Sequence, residues 1–245
     1  MSSLLDTNAN PGNTKVAKTQ KLGFKGAKNI LAGEVRVASL SLMPDSILCP
    51  GSKAAGCFDD CLKLAGRGVF ENVKAGRQWR ADLWHADREQ FLARLRAELS
   101  RFEKLCEKRG VQPVARLNVL SDIDWEKHGI PQQFPNIFFY DYTKRAARLG
   151  KTPENYRLMF SYSARHQYRK QVLMALAHDV PVAVVFSNYL PESFLGREVI
   201  DGDNSDLVNA MAGNVIIGLR AKGPAKKSTS GFVVNPDVIP TFEAA

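Results

Sequence analysis

Residues 87–122 read DREQFLARLRAELSRFEKLCEKRGVQPVARLNVLSD, and two periodicities meet inside them. Phe91, Leu92, Leu95, Leu99, Phe102 and Cys106 recur at mostly three- and four-residue steps, which predicts a helix over 87–109 with one apolar stripe turned to a core. Gly110 supplies the stop. Pro113 to Leu120 then forms a short apolar run, predicted as a strand, and Ser121 or Asp122 behind it is a natural N-cap for a following helix. Helix, strand and capped return to helix make one β-α repeat. Repeats of this kind imply right-handed crossovers and a mostly parallel sheet.

The same alternation runs outward in both directions. Strands are predicted at Glu34–Leu42, Asn136–Tyr142, Tyr156–Ser161, Val182–Phe186 and Asn214–Leu219, with helical segments at 143–149 and 165–178 between them. About six or seven such strands suggest an α/β fold whose sheet forms a partial or complete barrel. A chain of 245 residues that is 44% hydrophobic can bury the core this needs as one domain. Residues 1–20, rich in Ser, Asn, Thr and Lys, are expected to be a disordered basic tail. Residues 21–234 are expected to be the barrel-like domain, and 235–245 a C-terminal tail.

Three of the four cysteines fall in one short stretch, Leu48-Cys49-Pro50-Gly51-Ser52-Lys53-Ala54-Ala55-Gly56-Cys57-Phe58-Asp59-Asp60-Cys61. Nothing in the first twenty residues resembles a secretory signal, so reduced thiols are expected rather than disulfides. If Cys57 and Cys61 begin a helix, their sulfurs share one face about 6 Å apart, and Cys49 can swing in as a third metal ligand. The competing reading makes them small buried hydrophobes. Cys106 continues the apolar stripe of 87–109 and reads as packing. A fourth ligand is His85, or no protein group at all.

In parallel α/β folds, ligand groups collect at the carboxyl ends of the strands. That rule places Asp122, Asp141 and Lys144 as candidate catalytic groups, and Asn118, Ser161 and Asp201 as candidate cofactor-binding groups, beside Cys49, Cys57 and Cys61 as metal ligands. Many polar residues in such loops are caps and turn formers instead. The chain has no GxSxG elbow, no GxxxxGKS/T phosphate loop and no HExxH helix.

A formal charge of +9 favours an anionic partner, with nucleic acid, a nucleotide and a phosphorylated metabolite as the candidates. Lys15, Lys18, Lys21, Lys25 and Lys28 form one basic cluster, and Arg220, Lys222, Lys226 and Lys227 another. Charges along 87–109 alternate in sign and read as a solvated face. No apolar run approaches the roughly 18 residues of a membrane span, which points to a cytoplasmic protein. The oligomeric state is not legible.

The motif series Cys49-Pro50, Gly56-Cys57, Cys61-Leu62, Gly66-Arg67-Gly68, Arg116-Leu117-Asn118, Ser121-Asp122-Ile123-Asp124-Trp125-Glu126, Phe139-Tyr140-Asp141-Tyr142-Thr143-Lys144, Asp201-Gly202-Asp203 and Gly218-Leu219-Arg220-Ala221-Lys222-Gly223 resembles a family of phage and plasmid proteins named after a phage gene product eighty-eight. The resemblance covers roughly Leu22 to Val234 and implies a bacterial host cell. More loosely, the cysteine loop after the first strand is similar to that of radical SAM enzymes. Their partial barrels hold a [4Fe-4S] cluster there and bind S-adenosylmethionine at its open iron. The usual CxxxCxxC spacing is replaced here by seven residues between Cys49 and Cys57 and three between Cys57 and Cys61. The resemblance implies an iron–sulfur enzyme of radical SAM type. The alternative is a nucleic-acid-binding protein of phage or plasmid replication or host interaction, with zinc or no metal.

Overall fold

The computed structural model describes residues 3–23, 34–61, 63 and 65–238. Its strands are β1 (Val35–Ser39), β2 (Gln112–Arg116), β3 (Phe138–Thr143), β4 (Tyr156–Ser161), β5 (Val182–Phe186), β6 (Ser193–Phe194), β7 (Arg197–Asp201), β8 (Ile216–Arg220) and β9 (Val233–Val234). Its α-helices are α1 (Thr14–Leu22), α2 (Glu71–Ala86), α3 (Arg88–Arg109), α4 (Ile130–Gln133), α5 (Arg169–Leu176) and α6 (Asp206–Ala210). The strands form one sheet in the order β1-β2-β3-β4-β5-β8-β7-β6, and β9 pairs with the end of β5. All pairings are parallel except the β6–β7 hairpin.

Of the unit that decided the fold, the helix forms as expected, while β2 ends at Arg116 and neither Ser121 nor Asp122 caps a helix behind it. Asp87 caps α3 by accepting from Gln90 N at 2.8 Å, and Gly110 ends it in the left-handed region, at φ 63°. The apolar stripe of α3 is buried, Cys106 included. β4 and β5 have the expected bounds. A 3-10 segment at Gly66–Val69 leads into α2.

Alternation along the strands sorts side chains onto two faces. Ala38, Ala115, Phe139, Leu158, Phe160 and Val184 pack with the buried residues of α2, α3 and α5. Val35, Val37, Val114, Tyr140 and Met159 face the other way, onto Val16 of α1 and Leu207 and Ala210 of α6. Strands buried on both faces account for the near-continuous apolar runs in the sequence.

The α/β, mostly parallel part of the expectation is observed, and closure into a complete barrel is not. The observed architecture is a mixed α/β fold with a nine-stranded, mostly parallel sheet that does not close, because β1 and β6 end its strand order without pairing to each other. The outer edge of β1 is met by Asp6, which exchanges N–H···O bonds of 2.9 Å with Ser39. The segment expected as a disordered tail differs as well. Residues 3–13 run as a strap into α1, and Glu98 of α3 accepts from Leu4 N and Leu5 N at 3.0 and 2.8 Å. Leu4 is fully buried. No helix among the described residues is long and apolar enough to cross a membrane.

Candidate functional site

The carboxyl ends of β1 to β5 and β8 open onto a cavity of about 1130 Å³. Ser39, Arg116, Asn118, Thr143, Lys144, Ser161, Val185 and Arg220 reach it from these strands or the residues just after them, and the strap and α1 contribute Asp6, Asn13, Lys15 and Lys18. Cys49, Cys57 and Cys61 line the same space.

The cysteine loop is seated by its neighbours. Asp122 N donates to Leu48 O at 2.7 Å, and Ser163 Oγ donates to Ala55 O at 2.7 Å. Asp60 accepts from the hydroxyls of Ser228 and Ser230. Gly51 crosses Lys144 so closely that a Cβ there would lie 2.5 Å from Lys144 Cβ, which explains a glycine at this point. Gly56 turns the loop at φ 73°. Contrary to the expectation, residues 57–61 form a bend and no helix.

All three thiols are free and half-buried. Burial pushes Cys49 up to about 12, with Asp122 and Cys57 adding to the shift, while burial also raises Cys61. Lys144 lies within electrostatic reach of all three thiols, and its own burial lowers its pKa. Among the described residues, no group of three His, Cys, Asp or Glu side chains is placed to hold a metal ion as it stands. His85, the suggested fourth ligand, instead bonds Asp45 through Nε2 at 2.7 Å and does not line the cavity.

The catalytic candidates separate by their bonds. Asp122 is buried and accepts from Thr143 Oγ1 at 3.2 Å, Lys144 N at 2.9 Å and Arg148 Nη1 at 2.5 Å, so its oxygens tie the β2 and β3 loops together. Asp141 accepts from Asn118 N at 2.7 Å and from Tyr156 OH at 2.9 Å. It is fully buried, off the cavity wall, and burial raises it to about 7 against the pull of those donors. Lys144 Nζ donates to Ser161 Oγ at 2.7 Å and to the Ser161 and Tyr162 carbonyls at 3.3 and 3.5 Å, over the Phe232 ring. Lys144 is coupled to all three thiols, and Asp122, which also lines the cavity, acts on Cys49.

The cofactor-binding candidates also divide. Ser161 is Lys144's acceptor. Asn118 closes its own loop, with Oδ1 accepting from Ser121 Oγ and Ile123 N at 2.8 and 2.9 Å. Asp201 stands off the wall and pairs with Arg220 at 2.8 Å.

Sequence reading missed a buried ionic cluster at the cavity wall. Asp206 is fully buried and takes Arg116 Nη1 at 2.7 Å, Lys15 Nζ at 3.1 Å and Tyr142 OH at 2.7 Å. Arg116 ends β2 and was readable as a strand-end residue; Asp206 belongs to a five-residue helix too short to leave a periodic signal. The two basic clusters reach this space from both ends of the chain, Lys15 and Lys18 on one side and Arg220 and Lys222 on the other. Lys25 and Lys28 lie outside the described residues.

A family model described as gene product 88 matches residues 3–236. The chain belongs to the gene product 88 family. Strap, cysteine loop and every residue of the cavity wall fall inside the gene product 88 match. No curated protein and no solved structure matches the chain.

Proposed function

We propose that this phage- or plasmid-type protein is an iron–sulfur enzyme, with Cys49, Cys57 and Cys61 holding a [4Fe-4S] cluster at the wall of the cavity. The observation that carries the reading is the convergence of three free thiols from one loop on a space into which the parallel strand ends open. The donor chemistry fits, because thiolates are the protein ligands of such clusters. Binding requires the three sulfurs to draw closer than they stand here, and Cys49 and Cys61 to lose protons that burial retains. Gly56, between Cys49 and Cys57, gives the loop backbone the conformational freedom for the movement. Lys144 is the group that offsets the negative charge of the thiolates, and Ser161 holds its ammonium in place.

When bound, a cluster with one open iron supplies one-electron chemistry to a ligand in the cavity, S-adenosylmethionine being the cofactor of the radical SAM reading. The chain's own part is to orient that ligand from the polar strand ends. Such thiols call for a reducing compartment, here the cytoplasm of the bacterial host.

Anaerobically prepared protein, reconstituted with iron and sulfide, should be brown with broad visible absorption and contain iron and labile sulfide. A Cys49→Ser, Cys57→Ser, Cys61→Ser triple variant should be colourless, and Cys106→Ser should stay coloured. Stoichiometric zinc without colour would replace the cluster with a structural metal. A folded protein that takes up neither metal overturns both.

A further inference from the structure

We infer that the cavity binds a small organic ligand carrying two or more anionic groups, phosphate or carboxylate, and that Lys18 and Arg67 take them up. The inference concerns the cavity assigned above and rests on that reading only for its location.

The argument is one of uncompensated charge. Nine Lys and Arg side chains line the cavity against five Asp. Three of the five carboxylates are held in ion pairs, Asp206 with Arg116 and Lys15, Asp203 with Arg220 and Lys222, and Asp122 with Arg148, while Asp60 accepts from two serines and Asp6 from Asn8. The Lys18 and Arg67 side chains have neither a hydrogen bond nor an ion pair among the described residues, although both residues line the cavity. Arg67 lies with its guanidinium against Gly12, where an added Cβ would be 3.5 Å from Nε. Arg77 gives one N–H to Lys63 O, and Lys144 gives its protons to neutral acceptors. Arg116 adds a buried Nε that has no partner. Cations gathered in one concave space repel one another and focus a positive potential into it. An anionic ligand removes that repulsion and offers the forked acceptors that guanidinium groups bind best. The space is at the upper end of small-molecule sites, which run to about 1,000 Å³, so it admits a ligand of cofactor size.

The test is calorimetric titration of the full chain with pyrophosphate and with citrate at constant ionic strength, with potassium chloride as the control. Saturable binding of either is expected, weakened about tenfold or more in Lys18→Ala and in Arg67→Ala. Both side chains are exposed, so neither change threatens folding. Tighter pyrophosphate marks a phosphate-bearing ligand, and tighter citrate a polycarboxylate. No saturable binding of either, or binding undiminished in both variants, overturns the inference. Iron content is measured on the same samples. Anion binding without iron defeats the cluster alone, and iron without anion binding defeats this inference alone.

Discussion

Arg116 Nη1 donates to Asp206 Oδ2 at 2.7 Å, joining the end of β2 to the start of α6 across 90 residues of chain. Lys15 of α1 and the Tyr142 hydroxyl of β3 meet the other oxygen of the same carboxylate. One buried acid therefore fastens the helices that cover one face of the sheet to the strands beneath them.

Removing that charge leaves two cations facing each other with nothing between them. Asp206→Asn keeps the shape of the side chain, so the loss is electrostatic, and breaking such a pair costs about 3 kcal/mol or more. Urea denaturation should show the midpoint falling with the slope unchanged. An unchanged midpoint would mean that Lys15 and Arg116 are satisfied by water.

Asp206 and Asp141 should give stability opposite dependences on pH. Burial alone would raise Asp206, but Lys15, Arg116 and Tyr142 together hold it below the usual carboxylate range. Its contribution is therefore full above about pH 4 and is lost as pH falls below that. Burial lifts Asp141 to about 7, so the folded state binds its proton more tightly than the unfolded chain. That contribution is present at about pH 4 and is lost as pH rises towards 7. Asp141→Asn, which cannot ionise, should gain thermal stability relative to the parent between about pH 5 and pH 8. A difference in melting temperature that stays constant across that range would refute the assignment.

Glu98 should matter to residues it does not adjoin in sequence. It binds Leu4 N, Leu5 N and the Ser3 hydroxyl, while Arg80 donates to the carbonyls of Leu4 and Ser3. Glu98→Ala leaves buried N–H groups unpaired, at a cost of about 1–3 kcal/mol. Amide exchange at Leu4 and Leu5 should quicken while that of β3 and β4 is unaffected.

Glu98 also marks the limit of what the sequence conveys. Its alternation with Lys and Arg along α3 reads as a solvated face, because helical periodicity reports which side is apolar and not which polar group another segment will seek. Elements with a strong apolar signal were legible for that reason: α3 by its helical period, and β4 and β5 by their apolar runs, appear where expected. The strap, α6 and the Asp206 cluster were not, since each is short and its stability comes from contacts distant in sequence. For the site, the strand-end rule grouped Cys49, Cys57, Cys61, Lys144, Ser161, Asn118 and Asp122, all of which line one space. It could not separate a group with bonding capacity to spare from one whose bonds tie loops together. Asp122, Asp141 and Asn118 have the residue types and positions of functional groups, and their hydrogen bonds are those of braces.

Gly51 offers a test of how the cysteine loop is seated. A Cβ added there would meet Lys144 Cβ at 2.5 Å, and neither atom can move without its backbone. Gly51→Ala must therefore lift the loop from the end of β3, at an overpacking cost of about 1–3 kcal/mol. Lifting it also carries Cys49 and Cys57 away from Lys144, so the variant should take up less iron during reconstitution than its lowered melting temperature alone accounts for. Gly66→Ala supplies the control, because nothing lies within 4 Å of an added Cβ there and only the positive φ of 54° is strained. If both variants lose stability but load iron equally well, the close crossing of Gly51 and Lys144 serves the fold and not the thiols.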